Sequence, residues 1–131
     1  MNILFVCRQN IGRSQMALAL YRQAHPDALA ASAGTIVDAP GQTLADAHAV
    51  KTITAMKELG IDVSDQTRTQ LTPDMLNRYD RVIVMAEPAN TPDWLKVSPK
   101  AEFWDILDPK DYDQETARRI RDDLRTRVAQ L

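Results

Sequence analysis

The stretch NILFVCRQNIGRSQMA, residues 2–17, contains two patterns of different period separated by a short polar loop. Residues 2–6, NILFV, form a run dominated by branched apolar side chains, which is typical of a strand buried on both faces of a sheet. From Arg13 to Ala24 the apolar side chains return at helical spacing, so that one face carries Met16, Ala17, Leu20 and Ala24. The stretch therefore predicts a buried strand, a loop and a helix in immediate succession.

The rest of the chain continues this alternation of strands and helices. Further strands are predicted at residues 28–34, 80–86 and 101–106, and helices between Ala45 and Gly60, from Pro73 and over the C-terminal residues. The arginines of the last helix are predicted to form a solvated face, which comprises Arg118, Arg119, Arg121, Arg125 and Arg127. This order of elements predicts an α/β fold with a parallel sheet flanked by helices.

Composition narrows the classes of function. The 131 residues carry a formal net charge of −2 and no basic field, so nucleic acid is not an expected partner. No apolar run has the length of a membrane span or the form of a signal peptide, so no membrane partner is expected either. The one cysteine cannot form an internal disulfide, and two histidines do not make a zinc site. We therefore expect a single metal-free domain, residues 1–131, in the reducing cytoplasm.

The loop CRQNIGRS, residues 7–14, contains the residue types of an oxyanion site. Backbone N–H groups in a strand-to-helix loop form an anion cradle, to which the helix N-terminus adds a positive dipole end. Arg13 offers a planar fork for two oxygens of a tetrahedral anion. Cationic neighbours favour the thiolate form of Cys7, and Ser14 can donate its hydroxyl to that thiolate. Because ligands bind beyond the carboxyl ends of parallel strands, we expect Asp108, after the last strand, at the same edge.

Two interpretations of Cys7 follow from the sequence. A single cysteine after an apolar strand is commonly a buried small side chain without reactivity. The alternative is a nucleophile inside a phosphate-shaped site. An arginine six residues later, a serine seven residues later and the strand-to-helix junction favour the nucleophile. Asn10 and Gly12 also suit it, since both tolerate the unusual backbone angles of a cradle.

C-x5-R-S directly after the first strand resembles the low-molecular-weight protein tyrosine phosphatases and the arsenate reductases that share their fold. The resemblance covers nearly the whole chain, through SAGT (32–35), ELGIDVS (58–64), YDRVIVM (79–85) and the dipeptide Asp108-Pro109. It implies a single-domain, flavodoxin-like fold whose four-stranded parallel sheet has helices on both sides. It also implies an enzyme that needs no cofactor.

The resemblance assigns roles to single residues. Cys7 would be the nucleophile, Arg13 the oxyanion clamp and Asp108 the general acid, with Asp105 and Asp111 as the alternative acids. The substrate-binding cradle would consist of Arg8, Gln9, Asn10, Ile11, Gly12 and Ser14. Within it, Asn10 would hold the loop conformation and Ser14 would support the thiolate.

Departures from the family pattern leave the activity open. Gly12 stands where many of these phosphatases carry a second cysteine, and the relay cysteines of thioredoxin-coupled arsenate reductases are absent. The phosphatases often carry tyrosines just after the Asp-Pro, whereas here Tyr112 is the one nearby ring, so the sequence predicts few aromatic contacts for a phosphotyrosine. We expect a cysteine-dependent phosphomonoesterase that acts on a phosphomonoester or phosphotyrosine protein through a phosphocysteine. The alternatives are an arsenate reductase that uses an external thiol or glutaredoxin-like partner, and a non-catalytic module that binds phosphate or arsenate.

Overall fold

The sheet at the centre of the molecule is parallel and is formed by the predicted strands. The computed structural model describes residues 2–108 and 112–131, and its strands are β1 (Ile3–Cys7), β2 (Ala30–Gly34), β3 (Arg81–Val84) and β4 (Ala101–Phe103). These described strands form one four-stranded sheet in the order β2–β1–β3–β4. Cys7 pairs with Gly34, and Val84 lies between Val6 and Phe103. The predicted parallel sheet is confirmed.

Helices cover both faces of the sheet. They are α1 (Arg13–Ala24), α2 (Val50–Lys57), α3 (Asp93–Lys96) and α4 (Gln114–Val128), with 3₁₀ turns at Pro73–Arg78 and Pro88–Asn90. Within the described ranges, no helix combines the length and the apolar character needed to cross a membrane. The expectation of an α/β fold with helices on both sides is confirmed.

The five side chains of β1 alternate between two cores, and all of them are buried. Ile3, Phe5 and Cys7 belong to a core with side chains of α1, α2 and α4, which we call the α1-side core. Leu4 and Val6 belong to a core on the opposite face, with side chains of α3 and the first 3₁₀ turn, which we call the α3-side core. Because both faces are covered, the strand is apolar at consecutive positions rather than at alternate ones.

Helix α2 begins at Val50, although its apolar spacing predicts a start near Ala45. The backbone before it bonds to another segment instead, since Ala45 N donates to Ser64 O at 3.0 Å. His48 then takes a positive φ of 53°, which a right-handed helix cannot contain. The helix therefore starts only after this turn.

Strand β4 ends at Phe103, although the apolar pattern predicts a strand up to residue 106. Its neighbour β3 ends at Val84, which still accepts a hydrogen bond from Trp104 N at 2.9 Å. Beyond that point β3 offers no further partner, and the Trp104 ring packs near Phe5 with centroids 6.4 Å apart. The length of the neighbouring strand, rather than the sequence of β4, sets this boundary.

The predicted solvated arginine face of α4 is wrong at Arg121, which is only 8% exposed. Its Nη1 donates to Ala55 O and to Glu58 Oε1, both at 2.8 Å. Arg118 donates to the same carboxylate at 2.8 Å. The hydrogen bond from Arg118 is the largest cause that holds the pKa of Glu58 below its usual value. Burial acts in the opposite direction, and Arg121 lowers this pKa further. Arg121 and Arg118 thus connect α4 to the end of α2.

Candidate active site

A cleft of about 590 Å³ opens at the carboxyl edge of the sheet, where the connection after β1 meets the segments after β3 and β4. Its lining includes most of the predicted site residues, namely Cys7, Arg8, Gln9, Ile11, Gly12, Arg13 and Asp108. Asn10 and Ser14 do not line it and are fully buried. The structure therefore brings the predicted nucleophile, clamp and acid into one cleft and places two of the predicted cradle residues behind its wall.

The carbonyl groups of residues 7–10 are all held by donors outside residues 8–14, the segment that we call the cradle loop. In chain order the donors are Thr35 N (2.9 Å), Ile36 N (2.8 Å), the Arg68 guanidinium (3.0 and 3.2 Å) and Gln15 Nε2 (3.0 Å). The N–H of a trans peptide points away from its C=O, so each amide of residues 8–11 points away from the donor that holds the preceding carbonyl. Among the described residues, no amide of the cradle loop donates to another protein group. A set of backbone N–H donors without protein partners is suited to bind an anion.

Asn10 fixes the shape of the cradle loop. It adopts a positive φ of 56° and is fully buried. Its Oδ1 accepts from Thr69 N at 2.8 Å, while its Nδ2 donates to Ser14 Oγ at 2.7 Å and Ser32 Oγ at 3.0 Å. These bonds compensate the left-handed backbone, which is unfavourable for most residues other than glycine and asparagine.

Cys7 and Ser14 are in direct contact, with Sγ and Oγ 2.9 Å apart. Ser14 Oγ already accepts from the Asn10 amide, so its own hydrogen is available to Cys7. A hydroxyl that donates to sulfur stabilises a thiolate more than a thiol. The geometry therefore fits the predicted support of Cys7 by Ser14.

The Arg13 side chain is 4% exposed, and its guanidinium lies between two carboxylates. Its Nη1 donates to Met85 O and to Glu87 Oε1, the latter at 2.9 Å, and its Nη2 donates to Asp108 Oδ2 at 2.8 Å. Burial raises the pKa of Glu87, but hydrogen bonds from its own backbone and Asn90, together with Arg13, bring it below the usual value. Arg13 is thus oriented by the Glu87 carboxylate on one side and by Asp108, the predicted acid, on the other.

The alternative acids are placed differently from Asp108. Asp105 is exposed and lines the same cleft, but Arg13 has no contact with it in the described part of the chain. Asp111 lies outside the described residues, as does Pro109. Of the two described candidates, Asp108 is therefore the one in contact with the predicted oxyanion clamp.

Apolar side chains form one wall of the cleft. Ile11, Leu107 and Tyr112 all line it, and Leu107 is 59% exposed. Burial, helped by the nearby Asp108 charge, raises the pKa of Tyr112, so its hydroxyl stays neutral. An apolar surface for an organic group therefore lies beside the cradle. Among the described lining residues, Tyr112 is its one aromatic ring.

Gly34 lets β2 approach the cradle loop from behind. A Cβ at this position would lie 2.6 Å from Arg8 O and 2.9 Å from Asn10 N, which is closer than real contacts allow. Any other residue would push the cradle loop away from the sheet. Gly12, in contrast, has room for a Cβ, whose nearest neighbour would be Tyr112 Oη at 3.6 Å.

Two residues of the site are missed by sequence reasoning. Glu87 follows β3 by three residues, so its position at the carboxyl edge of the sheet was a signal that could have found it. Arg68 lies in an irregular segment without periodicity, and nothing in the sequence indicates its contact with the cradle loop.

As for metals, the described residues contain no group of three His, Cys, Asp or Glu side chains that could hold an ion.

Comparison with known proteins gives a consistent family and two kinds of activity. A family model described as low molecular weight phosphotyrosine protein phosphatase matches residues 2–131. Arsenate reductase 2 of Staphylococcus haemolyticus is 33% identical over 129 residues, which cover 96% of this chain and 92% of the relative. A probable low molecular weight protein-tyrosine-phosphatase EpsP of Ralstonia solanacearum is 38% identical over 117 residues, covering 82% of this chain and 77% of the relative.

A solved structure agrees with the fold. The crystal structure of the Erwinia amylovora tyrosine phosphatase amsI has a TM-score of 0.81 and 26% sequence identity, covering 98% of this chain and 88% of that one. The predicted resemblance is therefore confirmed over nearly the full length. The names of the relatives do not separate phosphate hydrolysis from arsenate reduction.

Proposed function

Because the chain belongs to the low molecular weight phosphotyrosine protein phosphatase family, we propose that it is an enzyme that hydrolyses phosphomonoesters through a phosphocysteine. One observation carries the proposal: a thiol, a loop whose backbone N–H groups have no partner among the described residues, and a buried guanidinium meet in a single cleft. Cys7 Sγ contacts Ser14 Oγ at 2.9 Å, and Arg13 contacts Asp108 at 2.8 Å. This set matches the needs of phosphoryl transfer to a thiolate.

In the proposed first step the Cys7 thiolate attacks phosphorus. A sulfur–phosphorus bond forms while the bond to the leaving oxygen breaks, and Asp108 gives its proton to that oxygen. The cradle-loop amides and the Arg13 fork hold the other phosphate oxygens, whose charge grows in the transition state. A general acid carries its proton before this step, and in that form Asp108 does not compete with phosphate for the Arg13 guanidinium.

In the proposed second step water resolves the intermediate. The Asp108 carboxylate takes a proton from water, the resulting oxygen attacks phosphorus, and the sulfur–phosphorus bond breaks. Cys7 leaves as a thiolate, stabilised by the Ser14 hydroxyl, and phosphate is released. The cycle consumes one water and needs neither metal nor electrons.

The proposed substrates are phosphomonoesters, with phosphotyrosine proteins among them. The family supports this class, and the wall of Ile11, Leu107 and Tyr112 gives an organic group a surface to contact. With one cysteine in the chain, an oxidised Cys7 has no internal thiol partner. We therefore propose that the protein, as one domain of residues 1–131, acts in the reducing cytoplasm.

Arsenate reduction is the second candidate, favoured by the 33% identity to a protein named arsenate reductase 2. Arsenate would enter the same cradle, and Cys7 would form a sulfur–arsenic bond while one arsenate hydroxyl, protonated by Asp108, leaves as water. An external thiol would then attack the Cys7 sulfur, and arsenic would keep the electron pair and leave as arsenite. A second thiol would reduce the mixed disulfide, since the chain has no other cysteine.

Parallel assays on pure protein distinguish these candidates. We expect pre-reduced protein to hydrolyse nitrophenyl phosphate without added thiol, and Cys7→Ser to abolish turnover while it still binds inorganic phosphate. Near wild-type hydrolysis by Cys7→Ser would contradict the mechanism. Negligible hydrolysis of all phosphomonoesters beside rapid, thiol-dependent arsenite formation would assign the reductase, and phosphate binding without either turnover would assign a binding module.

A further inference from the structure

Arg68 is a buried cation directly behind the cradle loop. It is 3% exposed and lies in the irregular segment between α2 and the first 3₁₀ turn. Its Nε and Nη2 donate to Gln9 O at 3.2 and 3.0 Å, and Nη2 also donates to Gln9 Oε1 at 2.9 Å. The guanidinium thus holds both the backbone and the side chain of one cradle residue.

Other contacts of Arg68 reach the loop after β2. Asp38 Oδ1 lies 2.7 Å from Nη2, and Gln42 Oε1 lies 2.9 Å from Nη1. The Arg68 backbone is fixed to the same loop, since its N donates to Gln42 O at 2.8 Å and its O accepts from Gly41 N at 2.7 Å. These partners compensate the cost of burying the charge and leave the guanidinium little freedom to move.

The peptide between Gln9 and Asn10 is the weak point of the cradle. Asn10 has a positive φ of 56°, a conformation that an ordinary chain readily leaves. Gln9 O now accepts from Arg68, and rotation of this peptide plane would turn that carbonyl towards the cleft, which Gln9 lines. A carbonyl in that position would repel an oxyanion. Two charge-assisted bonds from Arg68 to Gln9 O oppose the rotation.

We propose that Arg68 is a positioning residue for oxyanion binding: it locks the Gln9–Asn10 peptide so that the Gln9 carbonyl stays turned away from the anion. The inference rests on the proposed function, because it concerns the same cradle. The Asn10 side chain holds the loop from Ser14, Ser32 and Thr69, whereas Arg68 holds the preceding carbonyl. Both restraints are needed to define the direction of one peptide plane.

The test compares Arg68→Met and Arg68→Lys with the wild type, and uses Arg78→Met as the matched control. Arg78 is 63% exposed and pairs with Asp74 on the first 3₁₀ turn, away from the cleft. Affinity for inorganic phosphate is measured by titration, together with the unfolding temperature without phosphate. Phosphate binding needs no turnover, so a wild type that binds phosphate and hydrolyses nothing refutes the proposed function without touching this inference.

We expect Arg68→Met to weaken phosphate binding at least about tenfold, because Gln9 O would be free to turn towards the anion and repel it. Arg68→Lys should recover part of the affinity, since an ammonium can reach Gln9 O but cannot also hold Asp38 and Gln42. Arg78→Met should bind as the wild type does. If Arg68→Met fails to fold, Arg68→Lys decides: reduced affinity at an unchanged unfolding temperature supports the inference. Phosphate affinity within about twofold of wild type in any folded Arg68 variant overturns it.

Discussion

Asp108 and Asp105 are carboxylates of the same segment after β4, and both line the cleft. They differ in one contact, because Asp108 Oδ2 lies 2.8 Å from the Arg13 guanidinium. A phosphate held by Arg13 would therefore bring its leaving oxygen close to Asp108. Asp105, an aspartate three residues before Asp108, is therefore a matched control for the general acid.

Asp108→Asn should slow hydrolysis by about 10²–10⁴-fold for substrates with poor leaving groups, because an alkoxide leaves slowly without a proton. The loss should be smaller for nitrophenyl phosphate, whose phenolate leaves readily. Steady-state kcat on alkyl and nitrophenyl phosphates measures both effects, with Asp105→Asn as the matched control. A larger loss in Asp105→Asn, or equal losses on both substrates, would remove Asp108 from this role.

Residue types predicted which side chains meet in the cleft better than they predicted the contacts that support them. A cysteine, an arginine and a serine at fixed spacing after a strand suffice to predict a cradle, because all three lie on one continuous connection. Glu87 and Arg68 reach the same loop from 74 and 59 residues away. Those contacts depend on how the sheet order brings distant connections together, which no local pattern contains.

At the scale of elements, burial on both faces made β1 predictable, whereas the helical spacing of apolar side chains made α1 predictable. Nine consecutive residues of α1, from Arg13 to Tyr21, are buried, so the helix is far more enclosed than its single predicted apolar face. Its predicted face also includes Ala24, which is exposed. The start of α2 was not predictable, because pairing of Ala45 with Ser64 overrides the helical spacing of the apolar residues.

The pairing of Glu58 with two arginines makes the contact between α2 and α4 sensitive to pH. In the folded protein, hydrogen bonds from Arg118 hold the pKa of Glu58 below its usual 4.5. A depressed carboxyl pKa stabilises the fold fully above the unfolded value, and the contribution is lost as pH falls through the folded pKa. The stabilisation should therefore be present at pH 7 and disappear in acid.

Glu58→Gln should lower the free energy of unfolding at neutral pH and have progressively less effect below about pH 4.5. Denaturant titrations of both proteins between pH 7 and pH 3 give the difference directly. Glu115→Gln serves as the control, since its contacts with Arg118 and Arg119 are longer, 3.6 and 3.7 Å, and exposed. A constant difference between wild type and Glu58→Gln at all pH values would refute the assignment.

At the scale of the whole molecule, one sheet separates two cores and carries the site at its edge. The α1-side core contains Cys7, and the α3-side core contains its neighbour Val6. The cradle loop therefore begins where β1 is held from both faces at once. If either core loosened, the position of Cys7 relative to Arg13 would change, so the geometry of the site depends on both cores folding together.

The chain carries one natural probe for each core, since Trp104 packs against the α1-side core and Trp94 against the α3-side core. If residues 1–131 are one domain, both cores should unfold in the same transition. Trp94→Phe leaves Trp104 as the fluorescent reporter, and Trp104→Phe leaves Trp94. Within each variant, the fluorescence midpoint in denaturant should equal the midpoint by far-ultraviolet circular dichroism. This comparison is internal, so any destabilisation by the substitution cancels. Fluorescence and dichroism midpoints that differ reproducibly in either variant would mean that the two cores unfold separately, and the single-domain proposal would then be wrong.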